Sequence, residues 1–221
     1  MYIIWNKKEH YVINDYPDES GIGKAAKELY PAFDPETMAL FCTELPPARI
    51  IPCYENLLGH FNVGEDGLLT EKSLEEKAKA GGIRFDPARL AEYADADQTL
   101  TEKSKALRIV ALGIRLGLMK DVAACEAAFK LLDDEFEARV AQKYPPGMEM
   151  KHTKAWMTWF NEGKPANDRR ESAYTQMQAF MDGVRAEYRG IRTRLKEMIQ
   201  PLQEKEKEVE KEREQEGSEK E

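Results

Sequence analysis

The chain is poor in the residues and segments that mark several common protein classes. It has three cysteines and three histidines among 221 residues, and no two cysteines form a C-x-x-C pair. A secreted disulfide framework shows an even and denser set of cysteines, so we expect reduced thiols in a cytoplasmic protein. No apolar run approaches the roughly 20 residues that cross a bilayer, so we expect no membrane association. The first residues lack the basic start and apolar core of a secretory signal.

No cofactor or catalytic motif occurs in its required context. Residues 20–26 contain a G-x-G-x-x-A pattern, which can place backbone N–H groups against a phosphate. The predicted strand before it ends too early, and no second βα unit follows. Glu149 and His152 form one Glu-x-x-His, whereas a di-metal helix bundle uses two such pairs and two further glutamates. We therefore predict no catalytic residue, no metal ligand and no cofactor.

The net charge of −8 is distributed unevenly. Residues 1–98 hold ten basic and eighteen acidic residues, which disfavours nucleic-acid binding there because phosphates need positive charge. Residues 149–202 hold ten basic and seven acidic residues, and residues 203–221 hold five and nine. The mildly basic 149–202 stretch is thus the candidate surface for an acidic partner.

The strongest pattern in the chain is a heptad stripe near its end, which we call the seam. Its nine apolar residues follow one another at alternating spacings of three and four, which places them on one narrow face of a helix. Such a face packs along another helix, either within the chain or in a partner, and heptads alone do not separate these alternatives. The seam consists of Tyr174, Met177, Met181, Val184, Tyr188, Ile191, Leu195, Met198 and Leu202.

Residues 1–69 read as a small acidic α+β unit. Two short β-rich segments on either side of residues 6–9 predict a hairpin. Asp34 followed by Pro35 predicts a helix start, and Ile50-Ile51 predicts a short strand. A hairpin turn is expected at Asp66-Gly67.

Residues 70–202 read as a helical body. Thr70 is expected to open its first helix, and Asp86-Pro87 the second. Thr99 and Glu102 have the spacing of a capping box for the third, and Asp121 is expected to start the fourth. The acidic run at 133–137 fans around that helix and reads as a solvated face.

The seam helix is expected to start near residue 168. Pro201 should kink or end it near Gln200, because an interior proline removes a backbone hydrogen bond and clashes with the preceding turn. Residues 203–221 bury almost nothing apolar and read as a charged tail, disordered or a frayed helix.

Basic residues form a second candidate site within residues 151–196. Lys151 and Lys154 lie near Trp156 and Trp159, a mixture that holds single-stranded nucleic acid by charge and stacking, although packing by the tryptophans is the favoured reading. A denser set is expected to scatter around the seam helix and to contact anions: Arg185, Arg189, Arg192, Arg194 and Lys196.

These patterns predict a mainly α protein, with a small N-terminal α+β unit, a helical bundle with a long heptad-patterned helix, and a charged tail. The leading functional hypothesis is a non-enzymatic interaction protein, such as an assembly factor, adaptor or chaperone-like scaffold. It would bind a protein partner or a second copy through the seam. One alternative is a nucleic-acid-associated regulator using residues 151–196, and another is an enzyme whose site is assembled from residues distant in sequence.

Overall fold

The computed structural model describes residues 1–16, 26–166 and 168–218, with side chains described as far as Arg213. The chain forms two compact units. Residues 1–84 and 116–118 make the first unit, and residues 85–115 and 119–221 make the second. The fold class agrees with the sequence prediction: a small antiparallel sheet at the N-terminus precedes helices and one long C-terminal helix.

A three-stranded antiparallel sheet organises the first unit. Strand β1 (Tyr2–Asn6) lies between β2 (Tyr11–Tyr16) and β3 (Met38–Cys42). The predicted hairpin is confirmed by the β1–β2 pairing. Its turn needs no glycine, because the Asn6 side chain accepts hydrogen bonds from the backbone N–H groups of Lys8 and Glu9.

Two predictions in this unit are wrong. Asp34 does accept hydrogen bonds from Glu36 N and Thr37 Oγ1, but only one turn follows, because the next residues join the sheet as β3. The predicted strand at Ile50-Ile51 is helical instead. Pro47 occupies the first helical position of α2 (Pro47–Ile50), which a 3₁₀ helix continues from Ile51 to Asn56.

The remaining elements of the first unit are short: α1 (Ala26–Leu29), α3 (Leu57–His60), β4 (Phe61–Val63), β5 (Leu69–Glu71) and α4 (Leu74–Lys79). The predicted turn at Asp66-Gly67 is confirmed, since it joins β4 to β5 with Gly67 at a positive φ of 78°. Thr70 starts no helix, because it lies in β5; a capping box of Ser73 and Glu76 starts α4.

The apolar core of the first unit lies between the sheet and these short helices. Its buried residues are Ile3, Trp5, Phe41, Ile50, Leu57, Phe61 and Leu69. The unit extends beyond residue 69 because α4 is tied to it. Lys77, which is itself buried, forms an ion pair with Glu71 of β5, and the Glu71 carboxylate also pairs with Arg49.

The second unit is helical throughout its regular elements: α5 (Pro87–Ala96), α6 (Lys105–Arg115), α7 (Val122–Lys143), α8 (Met148–Asn161) and α9 (Arg169–Ser218). Asp86 and Asp121 cap α5 and α7 as predicted. The expected capping box is wrong. Thr99 donates to Asp97 instead, and Ser104 caps α6 by accepting from Leu107 N.

Helix α9 contains Pro201 in its interior and continues to Ser218. Of the two expected effects of Pro201, the end near Gln200 is therefore wrong, and of the two alternatives for the tail, the helical one holds for its described residues. The residues that follow Pro201 are mostly Glu, Lys and Gln, which favour helix. The break in the hydrogen-bond ladder at an exposed proline therefore stays local.

Candidate functional site

The seam is the main packing face of α9. Five of its residues are buried (Met177, Met181, Val184, Tyr188 and Leu195), and the other four are half-buried. Helix α9 contacts α6, α7 and α8. Of the two alternatives that heptads leave open, the structure therefore shows packing within the chain as far as Leu195.

Burial along the seam falls off after Leu195. Met198 and Leu202 are half-buried, and all residues from 203 to 213 are exposed. Val209 follows Leu202 by one heptad and keeps the same helical position, yet 47% of its surface is exposed. The apolar stripe thus continues, thinly, past the helices on which α9 packs.

Helices α7 and α9 are antiparallel and are joined by stacked cations. The Arg192 guanidinium lies 5.5 Å from the centre of the Phe129 ring, and that of Arg185 lies 5.4 Å from the centre of the Phe136 ring. The two aromatic residues are one heptad apart on α7, and the two arginines are one heptad apart on α9 in reverse order. This repeated contact contributes to the antiparallel register of the two helices, together with the buried seam.

Arg139 adds an ion pair to the same interface. Its guanidinium donates to Glu187 at 2.7 Å and lies 5.9 Å from the centre of the Tyr188 ring. The hydrogen bond from Arg139 lowers the pKa of Glu187 below its ordinary value. The carboxylate of Glu187 is therefore charged at neutral pH and contributes to helix pairing.

A basic groove of about 450 Å³ runs beside this interface. Its lining consists of Asp133, Phe136, Arg185, Tyr188, Arg189, Arg192, Thr193 and Lys196. The expectation that the basic residues scatter around α9 is wrong for four of the five. Their spacings of four, three and four place them on one face, a signal that was present in the sequence. Arg194 is not part of this lining.

The four cations of the groove differ in their partners. Arg192 pairs with Asp133 of α7, and Arg185 pairs with Asp182 at 3.0 Å. Within the described part of the chain, Arg189 and Lys196 have no ion-pair partner. The groove therefore presents two uncompensated positive charges seven residues apart, about 10 Å along the helix axis.

The tryptophans of the 151–160 region are used for packing. Trp159 is buried, and its indole N–H donates to the carbonyl of Pro165 at 2.9 Å. Trp156 stacks on Tyr174 of α9, with ring centres 4.8 Å apart. Stacking on a nucleic-acid base would require these rings to leave their present partners.

The remaining candidates do not converge on a site. His152 contacts the Tyr144 ring edge-on, and Glu149 is exposed. Among the described residues no group of three metal-ligating side chains meets. The G-x-G-x-x-A stretch lies largely outside the described residues.

Two carboxylates in the acidic run of α7 bind different partners. Glu135 accepts a hydrogen bond from Ser104, and Asp133 binds Arg192. Sequence reasoning missed both tasks, because each depends on a residue of another helix.

The comparisons with known proteins returned nothing. No protein-family model, no curated protein and no solved structure matched this chain. Over the described residues, no helix combines the length and the apolar character needed to cross a membrane.

Proposed function

We propose that this protein is a non-enzymatic helical interaction protein, such as an assembly factor, adaptor or chaperone-like scaffold, and that it binds its partner along α9. The observation that carries the proposal is the exposed continuation of the seam. Helix α9 has 50 residues, about 75 Å at 1.5 Å per residue. Helix α7 has 22 residues, about 33 Å by the same measure. Helix α9 is thus much longer than α7, and its described side chains from residue 203 to residue 213 are all exposed.

An exposed helix of this kind needs another source of stability. Isolated helices gain little from propensity alone, and most helical stability comes from packing an apolar face. Met198, Leu202 and Val209 retain the heptad positions of such a face beyond the buried part of the seam. A partner helix that covered them would supply the missing contacts.

The cysteines support a reducing compartment, and two of them have unreactive thiols. Among the described residues, no disulfide joins Cys42, Cys53 or Cys125, which agrees with a reducing compartment such as the cytoplasm. Burial raises the pKa of the Cys42 and Cys125 thiols above their ordinary value. Both are therefore poor nucleophiles at neutral pH.

A site-specific crosslink tests the proposal. A photoreactive amino acid replaces Val209, and in a second protein it replaces Tyr93 of α5. The two positions are matched in exposure, at 47% and 44%. We expect irradiation in extracts of the source cells to give a discrete crosslinked species from position 209 and none from position 93. Identical patterns from both positions, or none from either, would refute the proposal.

Nucleic-acid association is the second candidate, and the basic groove is the observation that favours it. A phosphate backbone needs several cations and binds with strong salt dependence. Four cations line the groove, but two are already paired with carboxylates. Titration of a fluorescent single-stranded oligonucleotide at two salt concentrations measures this activity. Binding that weakens steeply with salt supports it, and its absence at low salt rejects it.

A further inference from the structure

On one face of α9, beside the seam, the charge changes from positive to negative near the midpoint. We call it the charged face. Its members alternate in spacing between four and three, so they share one side of the helix. They are, in order, Arg185, Arg189, Arg192, Lys196, Ile199, Gln203, Glu206, Glu210 and Arg213. Four basic residues precede Ile199, and two glutamates follow it before the face ends at Arg213.

The charges on this face are largely complementary to those on the same face of a second, antiparallel copy of α9. Arg192 lies seven residues before Ile199, and Glu206 lies seven residues after it. Arg189 lies ten residues before it and Glu210 eleven after, a difference of one residue or about 1.5 Å along the axis. A two-fold axis through Ile199 therefore brings Arg192 level with Glu206 and Arg189 within one residue of Glu210, whereas Arg185 lies level with Arg213.

We propose that two copies of this protein associate through α9, antiparallel and centred on Ile199, with residues 203–213 of each copy lying along the basic groove of the other. This inference rests on the proposed function, since it names a second copy as the partner of the same helix. The interface is isologous: the same patch is used on both copies, as in most homodimers. Each closed dimer contains every predicted ion pair twice.

The groove matches the segment that it would receive. Arg189, which would pair with Glu210, is exposed and has no ion-pair partner among the described residues, whereas Arg192 would share its guanidinium between Asp133 and Glu206. Glu206 and Glu210 are exposed as well, with Val209 between them. In the antiparallel register Val209 lies level with residue 189, where Phe136 and Tyr188 contribute apolar surface to the groove. An apolar contact then sits between two charge pairs.

The chemistry predicts a weak and salt-sensitive dimer. Exposed ion pairs contribute little individually and are screened as ionic strength rises. Ile199 at the axis and the two copies of Val209 supply the small apolar part. We expect the dissociation constant to rise about tenfold between 50 mM and 500 mM salt, the direction in which screening acts. Sedimentation velocity on the full chain measures it.

Charge reversal at one pair tests the register. Arg189→Glu opposes Glu210 of the other copy, and Glu210→Arg opposes Arg189. Each variant alone should weaken the homodimer about tenfold or more, because two attractive pairs become repulsive. An equimolar mixture of the two should dimerise again, since the introduced glutamate of one copy then faces the introduced arginine of the other, and the second site keeps the unaltered pair of Arg189 and Glu210. The double variant in one chain should also restore the homodimer.

Arg194→Glu is the matched control. It makes the same charge change on the same helix, but residue 194 lies nine positions from residue 185, about 180° around the helix. We expect its dissociation constant to stay within about twofold of the parent. Thermal melting of every variant checks that folding is intact.

The outcomes separate the inference from the proposed function. A parent chain that stays monomeric at low salt and millimolar concentration overturns the dimer, and so does a mixture that fails to recover. If position 209 still gives a discrete crosslink to another protein, the interaction role stands and only the second copy is excluded. A monomeric parent whose oligonucleotide binding is lost in Arg189→Glu also overturns the dimer and assigns the groove to nucleic acid.

Discussion

The carboxylate of Glu135 accepts a hydrogen bond from the hydroxyl of Ser104, at 2.8 Å and across 31 residues of sequence. The same oxygen accepts from the backbone N–H of Ala106 at 2.9 Å. A side chain in the middle of α7 thus completes the N-terminal cap of α6. It also places a negative charge at the end of α6 where the helix dipole favours one.

Glu135→Ala should therefore destabilise the second unit. The Ala106 N–H and the Ser104 hydroxyl lose their acceptor, and Ser104 is buried. Loss of a helix cap costs about 0.5–2 kcal/mol, and we expect a loss of about 1–2 kcal/mol in the free energy of unfolding, measured by urea denaturation. Asp134→Ala, at an exposed neighbouring position, is the control and should change stability by less than about 0.5 kcal/mol. Equal effects of both would contradict the capping role.

Leu195→Ala tests the seam. Leu195 is fully buried, and truncation of a buried leucine costs about 2–5 kcal/mol through lost burial and the cavity that remains. Val209→Ala, at the same kind of heptad position but half exposed, should cost much less in the same chain. Both values come from denaturant unfolding of the monomeric protein at high salt. If Leu195→Ala were as mild as Val209→Ala, the seam would not be a packing face.

Replacing either of two glycines in α9 with alanine should raise the stability of the protein. A Cβ built at Gly183 or Gly190 meets nothing within 4 Å, and both residues are helical and exposed. Alanine is better than glycine in a helix by about 1 kcal/mol. We expect Gly183→Ala and Gly190→Ala each to raise the melting temperature of the isolated chain. A lowered melting temperature would mean that a neighbouring chain packs closely there.

Deletion of residues 203–221 should leave the melting temperature at high salt nearly unchanged. The side chains of 203–213 are exposed, so little burial is lost. The same deletion should abolish the salt-sensitive dimer, because it removes Glu206, Val209 and Glu210. Calorimetry and sedimentation velocity on one preparation measure the two effects. A fall of many degrees at high salt would show that this segment packs on the body of the protein.

The Arg139–Glu187 pair predicts an acid-dependent loss of stability. The pKa of Glu187 is lowered in the folded protein, so its contribution is fully present above the ordinary glutamate pKa of about 4.3. It is lost as pH falls through the folded value. The stability of Glu187→Gln should therefore decrease less than that of the parent on acidification from pH 5 to pH 3. Parallel pH profiles for the two proteins would contradict this assignment.

Sequence periodicity and local signals determined much of the secondary structure of this protein and the buried face of its longest helix. The 3,4 spacing identified the buried face of α9, because it reflects the helical repeat itself. Asp86, Asp121 and Asp66-Gly67 act on their own neighbours in the chain, so their caps and turn were predictable. The mainly α class, with a small N-terminal sheet, follows from the same local patterns.

Tertiary structure decided what local signals leave open. The Asp34 start signal was overridden because the residues after it pair with β1. Pro201 did not end α9. The capping box expected from Thr99 and Glu102 does not form, and α6 is capped instead by Ser104 with Glu135 of α7. The seam's partner within the chain, and the groove beside it, depend on α7 lying antiparallel to α9. No local pattern in either helix encodes that arrangement, because it arises from contacts between residues 48 to 63 positions apart, from Arg139 with Glu187 to Arg192 with Phe129.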